Sequence, residues 1–182
     1  MPDENINALI EQTVQDSIAA KTEFFSTRAG QIESCADRMT EAIDDGHKIL
    51  LFGNGGSAAD CQHIAAEFIN RFQMERRPLP AIALTTDTSV ITSIGNDYSY
   101  EDIFLKQVQA LGNNCDIAIG ISTSGNSPNV VKAMEAARAA GLVTIGFSGA
   151  GGRLKEISDI AFCVNSPVTA RIQEVHILLA HI

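Results

Sequence analysis

Apolar residues recur at helical spacing through the first 45 positions, then give way to short unbroken runs. Over residues 5–27, Ile6, Leu9, Ile10, Val14, Ile18 and Phe25 fall near one helical stripe. Ile32, Cys35, Met39 and Ile43 do the same over 31–45, where Gly46 is placed to cap the helix. From residue 48 strands and helices alternate. KILLFG (48–53), PAIALT (80–85), DIAIGIS (116–122), VTIGFSG (143–149) and DIAFCV (159–164) read as strands. Residues 57–72, 88–96, 100–112, 127–141 and 169–182 read as helices, with a GND turn near 95–97 and a turn or short helix over GGRLKEIS. Pro128 and Gly141 bracket the fourth of these.

Short apolar strands alternating with helices predict a five-stranded parallel sheet covered on both faces, an α/β/α sandwich. No linker, repeat or low-complexity run breaks residues 1–182. The expectation is one domain, with an α/β core over 47–182 and helices over 1–46 used in assembly. A long amphipathic helix ahead of any strand needs something to pack on, and a partner subunit is one such surface. The last helix runs to Ile182 without a cap, which suggests further residues beyond it.

Composition narrows the partners. Hydrophobic residues make up 45% of the chain, enough for a core, and the net charge is −9. A nucleic-acid surface needs concentrated Lys and Arg, so none is expected. A phosphorylated small molecule is compatible with that charge, because backbone N–H groups at a helix start bind phosphate locally. No run approaches about 18 apolar residues, so no membrane span is expected. The opening MPDENINALIEQ is acidic and polar, unlike a leader peptide; a cytoplasmic protein is expected. Cys35, Cys61, Cys115 and Cys163 lack the close spacing of a thiolate metal site and read as buried free thiols.

Two loops carry candidate chemistry. In LLFGNGGSAAD, a strand enters Gly53, Asn54, Gly55 and Gly56, and a helix opens near Ser57. Glycines let backbone approach an anion, and the helix start with the Ser57 hydroxyl offers donors. No GK[ST] follows, and the glycine spacing is not that of a dinucleotide site. A tight structural turn is the plainer alternative. In GISTSGNSPNV, Ser122, Thr123, Ser124 and Ser127 crowd hydroxyls around Gly125 after a strand. They suit phosphate oxygens, although Ser127 is also placed to cap the next helix. Both loops fall at carboxyl ends of strands, where parallel sheets bind ligands.

His63 and Glu67 share a helix face, and the last helix offers Gln173, His176 and His181. Gln173 and His181 are eight residues apart, about 80° around the helix and about 12 Å along it. His63, Glu67, Gln173 and His181 would make a mixed nitrogen–oxygen zinc site if the side chains lean together; a surface contact is the alternative for the first pair. His176 points away and reads as a packing or interface histidine.

FGNGGSAAD (52–60), HIAAEF (63–68), IGND (94–97), GISTSGNS (120–127) and RIQEVH (171–176), in this order, resemble the SIS (sugar isomerase) family and, within it, the phosphoheptose isomerases. The resemblance implies a flavodoxin-like or Rossmann-like SIS fold, a homotetramer with active sites shared between subunits, and one zinc ion per subunit. It implies conversion of sedoheptulose 7-phosphate to D-glycero-D-manno-heptose 7-phosphate, for the heptose of lipopolysaccharide or other surface glycans. By motif, Asn54, Gly55, Gly56, Asn96, Asp97, Ser122, Thr123, Ser124, Ser127 and Gln173 match substrate contacts. His63, Glu67, Gln173 and His181 match metal ligands, and Glu67 and His181 the acid–base pair. Glu67 can also contact substrate. Ala170 stands where some members carry an Asp implicated in activity. A paralogous group that binds the bacterial replication initiator resembles INRF (69–72) and ERRPLPAIAL, but lacks counterparts of Glu67 and His181. A SIS protein for another phosphosugar is the other alternative.

Overall fold

The computed structural model describes residues 5–182; the first four residues of the acidic opening lie outside them. Two helices, α1 (Ile6–Ser26) and α2 (Ala29–Asp44), precede a sheet whose strands are β1 (Ile49–Gly53), β2 (Ala81–Ala83), β3 (Ile117–Ser122), β4 (Val143–Ser148) and β5 (Ile160–Cys163). Between and after them run α3 (Gly56–Ile69), α4 (Thr88–Asp97), a 3-10 turn (Tyr100–Asp102), α5 (Ile103–Leu111), α6 (Pro128–Ala139), α7 (Arg153–Ile157) and α8 (Thr169–His181). All strand pairs are parallel and the order is β2-β1-β3-β4-β5. The chain leaves β1 toward one edge and β3 toward the other, so the loops after these two neighbours flank the switch point where such sheets bind ligands.

Alternation along the strands feeds two cores. Ile49, Leu51, Ile117, Ile119, Ile145 and Phe147 face α1, α2, α3 and α8. Leu50, Phe52 and Ala118 face α4 to α7. Because both faces are covered, β1 and β3 are buried at every position, which is why they read as continuous apolar runs. The expected sandwich is therefore the observed one.

Several boundaries differ from the sequence expectation. The GND tripeptide is not a turn but the last turn of α4, which Asp87 opens by accepting from Val90 N–H. The helix expected to reach residue 72 stops at Ile69, because Arg76 donates to the carbonyls of Glu67 and Phe68 and ends the ladder there. The strand expected over 80–85 pairs only over three residues. The cysteine expectation holds for Cys35 and Cys61, which are buried and free, but not for Cys115. That residue is exposed in the turn before β3, with φ at 70°. Cys163 is half-buried.

Helix α1 meets the rest of the molecule along one side only. Ser17 donates to Glu174, Arg171 donates to the Thr13 carbonyl, and Phe24 is buried against Phe162. The expected stripe lies elsewhere: Ile6, Leu9, Ile10, Val14 and Ile18 are each about half exposed or more.

Candidate active site

The β1–α3 loop and the β3–α6 loop sit side by side because β1 and β3 pair through Gly53 and Ile121. Both helix starts are without a side-chain cap. At α6, the Ser127 hydroxyl bonds the Ser122 hydroxyl at 2.9 Å instead of turning back to its own helix. Ser122 is buried and also reaches the Ser124 hydroxyl at 3.3 Å and Ser127 N–H at 3.4 Å. The result is a knot of hydroxyls in front of the α6 N-terminus, whose dipole favours an anion, although Pro128 carries no N–H and Val130 N–H is taken by Asn129 Oδ1. Ser57, in the first turn of α3, is also buried. Thr123 holds the floor through its carbonyl, which accepts from Gly149 N–H at 3.0 Å.

Two glycines here are demanded by geometry. Gly125 has φ +68°, and a Cβ there would strike the Gly151 carbonyl oxygen. Gly56 lies under the Gln173 amide, whose Nε2 is 2.5 Å from the place a Cβ would take. Gln173 thus borders the phosphate-type loop. Asn54 is tied to Asn129 by two amide hydrogen bonds, and Tyr100 adds a third. Gly55 is exposed beside it. Asn96 and Asp97 lie exposed at the end of α4 and bond each other.

At the far ends of α3 and α8 a second group assembles. Gly56 meets Gln173, and His63 meets His181; the offsets of seven and eight residues share one direction, so the helices run parallel, side by side. The Nε2 atoms of His63 and His181 are 3.0 Å apart, and Glu67 Oε1 lies 3.7 Å from His63 Nε2. Phe72 stacks on the His181 ring with centroids 5.2 Å apart. Asp60, one turn before His63, has its carboxyl pushed up by burial, partly offset by His63. Gln173 is not brought to the imidazoles, because it sits over Gly56, about 10 Å before His63 along α3.

Two imidazoles and a carboxylate are zinc donors of the catalytic kind. The ring nitrogens face each other at nearly the separation of about 3.3 Å that tetrahedral Zn–N bonds impose. Among the described residues, however, no three such groups yet converge on one point. His63 and Glu67 are half-exposed, so no packing prevents their turning. The donor types fit the metal; the fourth donor expected from sequence does not lie with them.

A cavity of about 300 Å³ opens beneath this pair, walled by Cys35, Met39, Ile64, Phe68 and Leu179. Glu67, Arg76 and His181 also line it, so its polar edge is shared with the imidazole pair. His176 is buried, with Nε2 3.1 Å from the Ser148 carbonyl, and burial pushes its pKa down to about 4. It is a packing residue. Ala170 is exposed at the start of α8. Sequence reasoning missed Asn129, Tyr100, Phe72 and Arg76. Asn129 was within sight, two residues past Ser127; the others act across long gaps that spacing does not show.

A family model for the SIS domain matches residues 14–149. The phosphoheptose isomerase of Nitratidesulfovibrio vulgaris is 56% identical over 100% of this chain and 88% of its own length. That of Aquifex aeolicus is 52% identical over 95% of this chain and 91% of its own. The solved phosphoheptose isomerase of Francisella tularensis superposes with a TM-score of 0.93 at 40% identity, covering 97% of this chain and 95% of that one. The Neisseria gonorrhoeae enzyme superposes at 0.90, with 44% identity over the same shares. The chain belongs to the SIS domain family and, within it, to the phosphoheptose isomerases.

Proposed function

We propose that this protein isomerises sedoheptulose 7-phosphate to D-glycero-D-manno-heptose 7-phosphate, supplying heptose for a surface glycan. The observation that carries the reading is the pairing, on parallel α3 and α8, of a hydroxyl-lined anion cradle at one end with Glu67, His63 and His181 at the other. A phosphate and a reacting carbonyl on one sugar need such a separation.

The cradle of Ser57, Ser122, Ser124 and Ser127 would take the phosphate, with backbone N–H groups neutralising much of its charge. Asn54, Asn96, Asp97, Thr123 and Gln173 would orient the sugar hydroxyls. Glu67 would take the proton from C1 of the ketose and return it to C2, while His181 Nε2 moves a proton between the oxygens on those carbons. The carbonyl thereby passes from C2 to C1 with no net gain or loss of atoms. His63, Glu67 and His181 would hold one zinc ion per subunit, and the placement of Gln173 favours a substrate role for it over metal ligation. The chemistry zinc supplies when bound is Lewis-acid polarisation of the sugar's carbonyl oxygen.

The bare stripe on α1 supports assembly into a homotetramer with shared sites. Light scattering at micromolar concentration should give a mass near four chains. No helix among the described residues is long and apolar enough to cross a membrane, in keeping with work in the cytoplasm. Turnover of sedoheptulose 7-phosphate by the zinc-loaded protein, with mannose and fructose phosphates as controls, tests the activity. A replication-initiator pulldown run beside it tests the other class. Initiator binding without isomerisation would overturn the proposal.

A further inference from the structure

Asn129 is buried, 3% exposed, and serves none of the roles above, yet its hydrogen bonds decide how Asn54 can behave. The Val130 backbone N–H meets one side-chain atom of Asn129 at 3.0 Å. A backbone N–H only donates, so that atom is Oδ1. Asn129 Nδ2 must then face Asn54 Oδ1, at 2.8 Å, while Asn129 Oδ1 accepts from Asn54 Nδ2 at 2.9 Å. The phenol of Tyr100 reaches the same Asn54 oxygen at 3.2 Å and acts there as donor. Both lone pairs of Asn54 Oδ1 and one of its amide hydrogens are thereby committed. One N–H is left, directed away from Asn129.

We infer that Asn129 and Tyr100 are positioning residues that hold the Asn54 amide as a single N–H donor toward an oxygen of the bound sugar phosphate. The same bonds tie the β1–α3 loop to the first turn of α6, and so set the gap between the two loops. Held this way, Asn54 accepts nothing from a ligand hydroxyl; it favours a carbonyl or hydroxyl oxygen as acceptor. The inference rests on the proposed role of Asn54 as a substrate contact.

The test is a set of double-mutant cycles on the full, zinc-loaded chain. Saturation curves are measured for Tyr100→Phe and Asn129→Ser, each alone and combined with Asn54→Ala. Each single variant should raise KM about three- to tenfold, the worth of one hydrogen bond, with kcat little changed. Added to Asn54→Ala, neither should raise KM further. KM rises of equal size with and without the Asn54 side chain, or no rise at all, overturn the inference. A merely structural role for Asn129 lowers the melting temperature without this dependence on Asn54. If the parent chain fails to turn over sedoheptulose 7-phosphate, it is the functional reading that has failed. The side-chain NH₂ resonances of Asn54, identified by their loss in Asn54→Ala, should still shift in both single variants, and unshifted resonances overturn the positioning.

Discussion

The two ends of the α3–α8 pair are built in opposite ways. At the loop end, nearly every polar group already has a protein partner: Ser122 with Ser124 and Ser127, Asn54 with Asn129 and Tyr100. At the other end, the polar atoms of His63 face His181 and Glu67, Phe72 covers the His181 ring, and both His63 and Glu67 stay open to water. The first region is shaped before a ligand arrives, which suits the role in affinity and orientation proposed for it. The second is left unsatisfied, as groups that must bind a metal or exchange protons have to be. On the proposed reading, binding and chemistry are thereby divided between two places about two helical turns apart.

The sharpest way to break that division is at His181. His181→Gln keeps a polar side chain of similar reach but removes the imidazole. Turnover should fall by about 10²–10⁴, the usual worth of a positioned acid–base group. Zinc content is measured on the same sample, and a variant that keeps both metal and rate removes His181 from the chemistry.

Gly125→Ala attacks the other region. It places a Cβ at positive φ and against the Gly151 carbonyl, so it should cost about 3 kcal/mol of stability by denaturant unfolding. A loss near zero means that the β3–α6 loop moves freely, and the claim of a preformed cradle falls.

The second imidazole of α8 sharpens the contrast, since His176 is buried where His181 is open. Its pKa is depressed to about 4 by burial, against an ordinary value near 6.5. In that window the unfolded chain binds the extra proton and the folded chain does not, so stability rises with pH. As pH falls from about 6.5 toward 4, His176 should contribute a loss of about 2–3 kcal/mol. The measurement is the pH dependence of unfolding in the parent and in His176→Gln; parallel curves contradict the assignment.

Ser124→Ala is the mildest. It removes one hydroxyl from an exposed rim of the cradle and should weaken binding of the phosphorylated ketose about three- to tenfold. Unchanged affinity across alanine variants of Ser122, Ser124 and Ser127 would move the phosphate elsewhere.

The same contrast explains what could be read from the sequence. Unbroken apolar runs on β1 and β3, and glycine and serine at strand ends, are local signals, and they placed both loops correctly. The His63–Glu67 pair was visible as a four-residue repeat on one helix. Its partner His181 depends on how α8 lies against α3, which no spacing encodes. Gln173 was grouped with the imidazoles by helical reach and by motif; the parallel packing of the two helices lays its amide over Gly56. Helix α3 ends early for a similar reason, since Arg76 folds back over its last carbonyls from outside the periodic segment. Cys115 looked buried because it adjoins an apolar run, but its left-handed backbone puts it in the turn before the strand.

The most direct test of the division is Glu67→Gln, which preserves shape and removes the base. Calorimetry with sedoheptulose 7-phosphate and a turnover assay are run on one folded preparation of known zinc content. The account predicts affinity close to that of the parent, with turnover lower by about 10²–10⁴. Turnover at the parent rate in the zinc-loaded variant would show that Glu67 is not the base, and the division of labour between the two regions would be wrong.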